Sequence, residues 1–167
     1  NLSPNAVDAV IPIAKRLPVI TEYFIHGKAY IAKSVYENLS PYGLTESHVR
    51  YILNSRTPVE NFWEKMQKSH AILENINLIF RDMDLRKQVW AELRALGLCS
   101  VTASTPENIE ITSPLATKAK ALETLCALLG IEAEHVLAMG DSDNDLPMLE
   151  FAGIGVAMAN GEAHIKA

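Results

Sequence analysis

The chain has 167 residues, 49% of them hydrophobic, enough for one domain with a proper core or for two small ones. No apolar run approaches the roughly 18 residues of a membrane-spanning helix, and no signal peptide is visible at the start. The net charge is −5 and lies entirely in one segment. Residues 1–112 carry 12 basic and 12 acidic residues, whereas residues 113–167 carry 3 and 8, a balance that argues against nucleic-acid binding.

In chain order, Ser3-Pro4 opens a helix, with Ser as N-cap and Pro at the first helical position. Val7, Val10, Ile11 and Ala14 supply its apolar stripe. The β-branched and aromatic run Val19–Ile25, the turn His26-Gly27-Lys28 and the return Ala29–Ala32 predict a β-hairpin. Short helices are expected near Ser34–Leu39 and Thr45–Leu53. Thr57-Pro58-Val59-Glu60 reads as a capping box opening a helix to about Gln67. Ile76–Phe80 reads as a strand. Asp84 is the expected cap of a helix that buries Leu85, Val89, Trp90, Leu93 and Leu96 and ends at Gly97. Leu98–Thr102 and Ile109–Thr112 follow as strands.

Ser113-Pro114 is a second start signal. Leu115, Leu122, Leu125, Cys126 and Leu129 are expected to share one face of a helix ended by Gly130. Beyond it, Val136–Met139, a helix from about Leu146 to Phe151, and Ile154–Met158 alternate as in a parallel α/β sheet. Cys99 and Cys126 sit far apart in apolar surroundings and read as core thiols of a reducing compartment, which places the protein in the cytoplasm.

The chemistry concentrates in Gly140-Asp141-Ser142-Asp143-Asn144-Asp145, directly after a buried strand. Ligands of open α/β sheets bind beyond the carboxyl ends of strands. So much like charge in one loop calls for a cation. Asp145 can also cap the following helix. The spacing of Asp141, Asp143 and Asp145 suggests a calcium loop, but Leu146 and Ala152 stand where that template needs Gly and Glu. A magnesium site, which needs one or two carboxylates plus water and phosphate, suits the loop better. Lys118, in the first turn of a helix, is either a solvated lysine or a partner for phosphate or carboxylate. Lys120 reads as solvated.

Thr117-Lys118-Ala119-Lys120-Ala121-Leu122 together with Met139-Gly140-Asp141-Ser142-Asp143-Asn144-Asp145-Leu146-Pro147-Met148-Leu149 resembles the haloacid dehalogenase (HAD) superfamily, most closely the Cof-like phosphatases with a class IIB cap. Gly155–Gly161 resembles the strand and loop that follow, and Ile109–Thr112 the end of the cap. The resemblance implies an α/β cap over residues 1–112 that selects the substrate, and the C-terminal half of a Rossmann-like core over residues 113–167. It implies magnesium on Asp141, with Asp145 supporting the metal site. It further implies a phosphoryl group on Asn144, and Lys118 paired with phosphate and the nucleophilic carboxylate. The activity implied is magnesium-dependent hydrolysis of small phosphorylated metabolites such as sugar phosphates.

Two departures bear on that expectation. Ala119 replaces the glycine common after the lysine. The family's nucleophile, an aspartate in Asp-x-Asp-x-Thr, has no counterpart: Asp82-Met83-Asp84 is followed by Leu85-Arg86, lies in the cap-like stretch, and suits a helix start instead. A non-catalytic metal-, phosphate- or partner-binding fragment is therefore the alternative. A P-type pump domain shares the Gly-Asp-x-x-Asn-Asp pattern but needs an Asp-Lys-Thr-Gly-Thr segment and membrane helices. Glu22, Tyr23 and Tyr30 are candidate cap contacts that read equally as hairpin residues. Oligomeric state is not legible.

Overall fold

The computed structural model describes residues 1–161 and 163–166. The chain forms two compact units, Asn1–Pro114 and Leu115–Ala167. The sequence signal for the boundary lay at Thr112-Ser113.

Unit 1 begins with α1 (Pro4–Lys15), whose cap is the Ser3 hydroxyl accepting from the Ala6 N–H. Then come β1 (Ile20–Ile25), β2 (Lys28–Ala32), α2 (Lys33–Tyr36), α3 (Glu46–Ser55), β3 (Arg56–Val59), α4 (Phe62–Lys68), β4 (Asn75–Ile79), α5 (Met83–Ala95), β5 (Ser100–Thr102) and β6 (Asn108–Thr112). The β1–β2 hairpin turns through His26 and Gly27, both at positive φ (50° and 69°), the backbone a tight hairpin requires. The sheet order is β3-β2-β1-β4-β6-β5, antiparallel throughout except for the parallel β2–β3 pair.

Strand alternation gives the sheet two different faces. On one face Tyr23, Ile76, Leu78, Ile109 and Ile111 pack with α1, α4 and α5 in the main core. On the other, Ile20, Ile31 and Ile79 pack with Ile52 of α3 at one end only. The rest of that face carries a polar row set by register: Glu22 opposite Asn77, Asn77 opposite Glu110, and Glu110 opposite Thr102.

Two local expectations are corrected here. Thr57–Glu60 does not open a helix: Arg56–Val59 is the edge strand β3, and α4 starts at Phe62. The residue before a proline is steered to extended backbone, and an edge strand tolerates the missing N–H of Pro58. The cap of α5 is Asp82, whose Oδ1 accepts from the N–H groups of Asp84 and Leu85, while Asp84 pairs with Lys87. Asp82-Met83-Asp84 is thus a helix start.

Unit 2 holds α6 (Lys118–Leu129), β7 (Leu137–Gly140), α7 (Leu146–Phe151) and β8 (Ile154–Ala157), with β7 and β8 paired in parallel. Thr117 caps α6 by accepting from the Lys120 N–H, and Gly130 ends it at φ 67°. Ala138, Leu149 and Ile165 form its small core, with Leu122, Leu146 and Met148 against them. The expected apolar face of α6 is only partly used. Cys126 is buried, but Leu125 and Leu129 are exposed, and Leu115 lies ahead of the helix in solvent. Both cysteines are free thiols. Among the described residues no helix is long and apolar enough to cross a membrane.

Candidate active site

The acidic loop connects β7 to α7, so Asp141 to Asp145 stand at the carboxyl end of a strand and at the amino end of a short helix. Asp145 is the organising residue. It is 3% exposed and occupies the N-cap position of α7, but its side chain makes no capping bond there, contrary to the sequence expectation. Its carboxylate turns back into the loop. Oδ2 accepts from the N–H groups of Asp141 (3.1 Å) and Ser142 (3.3 Å) and from the Ser142 hydroxyl (3.1 Å). Oδ1 accepts from Lys118 Nζ.

Gly140 makes this fold-back possible. A Cβ there would sit 2.3 Å from Asp145 Cβ and 2.7 Å from its Cγ, closer than atoms pack.

Lys118 is the first residue of α6, and its half-exposed side chain leaves the helix to meet the loop. Besides Asp145 it reaches Asn144 Oδ1 at 3.4 Å, an oxygen that also accepts from the Ser142 hydroxyl at 2.8 Å. The structure therefore brings Lys118, Asn144 and Asp145 together. Asp141 is joined to them through its backbone, while its carboxylate Oδ2 accepts from Asn160 Nδ2 at 2.9 Å. Asp143 points outward to His164, and Lys120 pairs with Glu123 on the helix surface. The Lys118 ammonium holds the Asp145 carboxyl down at about 2. Burial opposes this, and the Asp141 N–H and the Ser142 hydroxyl and N–H assist it.

Sequence reasoning passed over Ser142, Asn160 and Gly140. Ser142 lay unremarked between two acids. Asn160 lay in the quoted tail without a role, and only the fold sets it against Asp141. Gly140 was visible as the residue ahead of the first Asp, but its necessity appears only once Asp145 folds back.

Among the described residues no three His, Cys, Asp or Glu side chains converge as a metal cage. Magnesium asks for less, since one or two carboxylates with water and phosphate suffice. Asp141 meets that need, being partly exposed at the strand end with one oxygen bonded to an amide. Both oxygens of Asp145 are already engaged, so it fits as the residue that fixes the loop around Asp141.

The family model for haloacid dehalogenase-like hydrolases matches residues 1–167, and the chain belongs to that family. Two curated relatives are informative. The 5-amino-6-(5-phospho-D-ribitylamino)uracil phosphatase of Bacillus subtilis (strain 168) is 44% identical over 85 residues, 51% of this chain and 34% of the relative. The phosphoglycolate phosphatase of Methanosarcina acetivorans is 45% identical over 131 residues, 71% of this chain and 57% of the relative. The chain thus spans well under two thirds of the curated relatives it matches. Among solved structures, a haloacid dehalogenase-like hydrolase from Bacteroides thetaiotaomicron aligns with a TM-score of 0.76 at 24% identity, over 99% of this chain and 59% of the other. A sugar phosphatase of HAD subclass IIB aligns with a TM-score of 0.69 at 18% identity, over 99% and 58%. These two likenesses bear on fold.

Proposed function

We propose that the chain carries the phosphate- and metal-holding part of a magnesium-dependent phosphohydrolase acting on small phosphorylated metabolites, sugar phosphates among them. The observation that carries this reading is the meeting of Lys118 with Asn144 and Asp145 at the end of β7. Lys118 would draw a phosphoryl group to the loop as a cation, and Asn144 would fix one of its oxygens through the side-chain amide. Asp145 keeps Lys118 aimed at the loop and orders the loop backbone. Asp141 would hold magnesium, which when bound would neutralise charge on the phosphoryl oxygens. Charge neutralisation and positioning are most of what phosphoryl transfer requires. Unit 1 would act as the cap that selects the substrate, as lids do. The two curated relatives are both phosphatases of small phosphorylated metabolites, which supports this substrate class.

One observation favours a second reading, binding without turnover: the 167 residues contain no Asp-x-Asp-x-Thr to supply the aspartyl nucleophile. The two readings separate experimentally. Inorganic phosphate titrated into the chain with magnesium should shift the NMR signals of Asn144 and Lys118, and Lys118→Ala should weaken binding about tenfold or more. The chain alone should not hydrolyse p-nitrophenyl phosphate. Joined to a core segment of a family phosphatase that carries Asp-x-Asp-x-Thr, it should hydrolyse it with magnesium, and Asp141→Ala should lower kcat about 100-fold. Unchanged turnover in a folded Asp141→Ala variant would refute the phosphohydrolase reading. Magnesium-dependent turnover by the chain alone would refute binding without turnover.

A further inference from the structure

The turn that follows β8 is built against the acidic loop. The Met158 N–H donates to the Gly140 carbonyl at 2.8 Å, which continues the β7–β8 pairing past the last residue of β8. The Gly161 N–H donates back to the Met158 carbonyl at 2.9 Å and closes a turn over residues 158–161. Gly161 is buried. A Cβ there would lie 3.0 Å from the Met158 carbonyl oxygen and 3.2 Å from both the Cα and the carbonyl oxygen of Asp141. Lacking a side chain, it lets the turn close on the Asp141 backbone. Lys166 Nζ adds a bond to the Ala159 carbonyl at 3.2 Å. The turn carries Asn160, whose Nδ2 donates to Asp141 Oδ2 at 2.9 Å. Asp141 Oδ1 accepts no hydrogen bond among the described residues.

We propose that Asn160 is a positioning residue that gives the site its preference for magnesium over calcium, by holding one carboxylate oxygen of Asp141 and leaving the other for the ion. This inference rests on the reading of Asp141 as the magnesium ligand. A carboxylate is an acceptor only, so the amide facing it presents its N–H₂ side. A hydrogen bond to a charged group is stronger than a neutral one, which keeps Oδ2 with Asn160 and fixes the plane of the carboxylate. A carboxylate held in this way offers a metal one oxygen. Calcium takes about six to eight oxygens and often both from one carboxylate, whereas magnesium takes a compact octahedron completed by water. Withholding the second oxygen therefore removes a ligand from calcium and none from magnesium. The turn is tied to the backbone of Gly140 and Asp141, so the arrangement stands before any ion arrives.

The test is a pair of titrations of the whole chain, one with magnesium chloride and one with calcium chloride. Dissociation constants are read from the backbone N–H NMR signals of Asp141 and Ser142. Asn160→Ala should weaken magnesium binding and strengthen calcium binding, moving the ratio of the two constants about tenfold towards calcium. Gly161→Ala keeps the amide but pushes the turn off Asp141, and should move the ratio the same way by less. It carries the test alone if Asn160→Ala does not fold. A role in structural support only would weaken both ions by the same factor. That result, or a ratio unmoved in the folded variants, overturns the proposal and leaves Asp141 as the ligand. If Asp141→Asn alters neither titration, the ions bind elsewhere, and the reading of Asp141 as the magnesium ligand falls together with the proposal.

Discussion

Two ion pairs of opposite setting decide most of what single residues do here. In unit 2, Asp145 is buried and Lys118 half exposed. The folded carboxyl titrates at about 2, below its ordinary value of 3.8, so the pair stabilises the fold fully above the unfolded pKa. That stabilisation is lost as pH falls from about 4 towards 2, and screening at the half-exposed lysine holds it to about 1 kcal/mol or less. Denaturant unfolding followed against pH should show Asp145→Asn less stable than the natural chain at neutral pH. The gap should close as pH approaches 2, and a gap independent of pH would show that the charge is not responsible. In unit 1 both partners are buried, Arg56 8% and Glu22 0% exposed at their side chains. Burial works against the arginine's charge, yet its bonds to Glu22 leave its pKa raised. Arg56→Met should cost about 3–5 kcal/mol because Glu22 is left buried and alone. Adding Glu22→Leu should recover much of that loss, which a double-mutant cycle of unfolding free energies measures.

At the scale of elements, legibility in the sequence followed how local the cause was. The Ser3 cap, the Gly27 turn and the glycine stop of α5 rest on a few neighbouring residues and were readable. Thr57–Glu60 carried a correct helix-start pattern and became a strand, because pairing with β2 outweighed a local cap. Ile76–Phe80 was readable as a strand, but the partners of Asn77 lie 55 and 31 residues away in sequence. Only the register of three strands, β1, β4 and β6, joins them. The lysine and the acidic loop were readable as a pair through resemblance. The turning back of Asp145, away from the helix it precedes, was not, because it depends on Gly140 lacking a side chain. Thr117 tests the element that delivers Lys118. Thr117→Ala should cost about 1 kcal/mol and should speed amide exchange in the first turn of α6 more than elsewhere.

For the molecule as a whole, the two units differ in how much core they own. Unit 1 buries a continuous cluster from Leu2 to Ile111, while unit 2 closes around Ala138, Leu149 and Ile165. Leu125, Leu128, Leu137, Met139 and Ile154 of unit 2 stay exposed. A unit of that size with so little buried is marginal. Hydrogen exchange read by mass spectrometry should find β7, α7 and β8 exchanging well before β1, β4 and β6. Equal protection of the two units would show that they open together.

The parallel pairing of β3 at the sheet edge has an implication for how the chain could be rebuilt. Residues 33–61 leave the sheet after β2, form α2 and α3, and return as an outermost strand. Removing them would leave β2-β1-β4-β6-β5 contiguous and wholly antiparallel. The segment is therefore a candidate cassette for replacement by shorter or longer insertions, on two conditions. Whatever takes its place must cover Ile20, Ile31 and Ile79, as Ile52 does, and must present a cation to Glu22, since Arg56 leaves with the original.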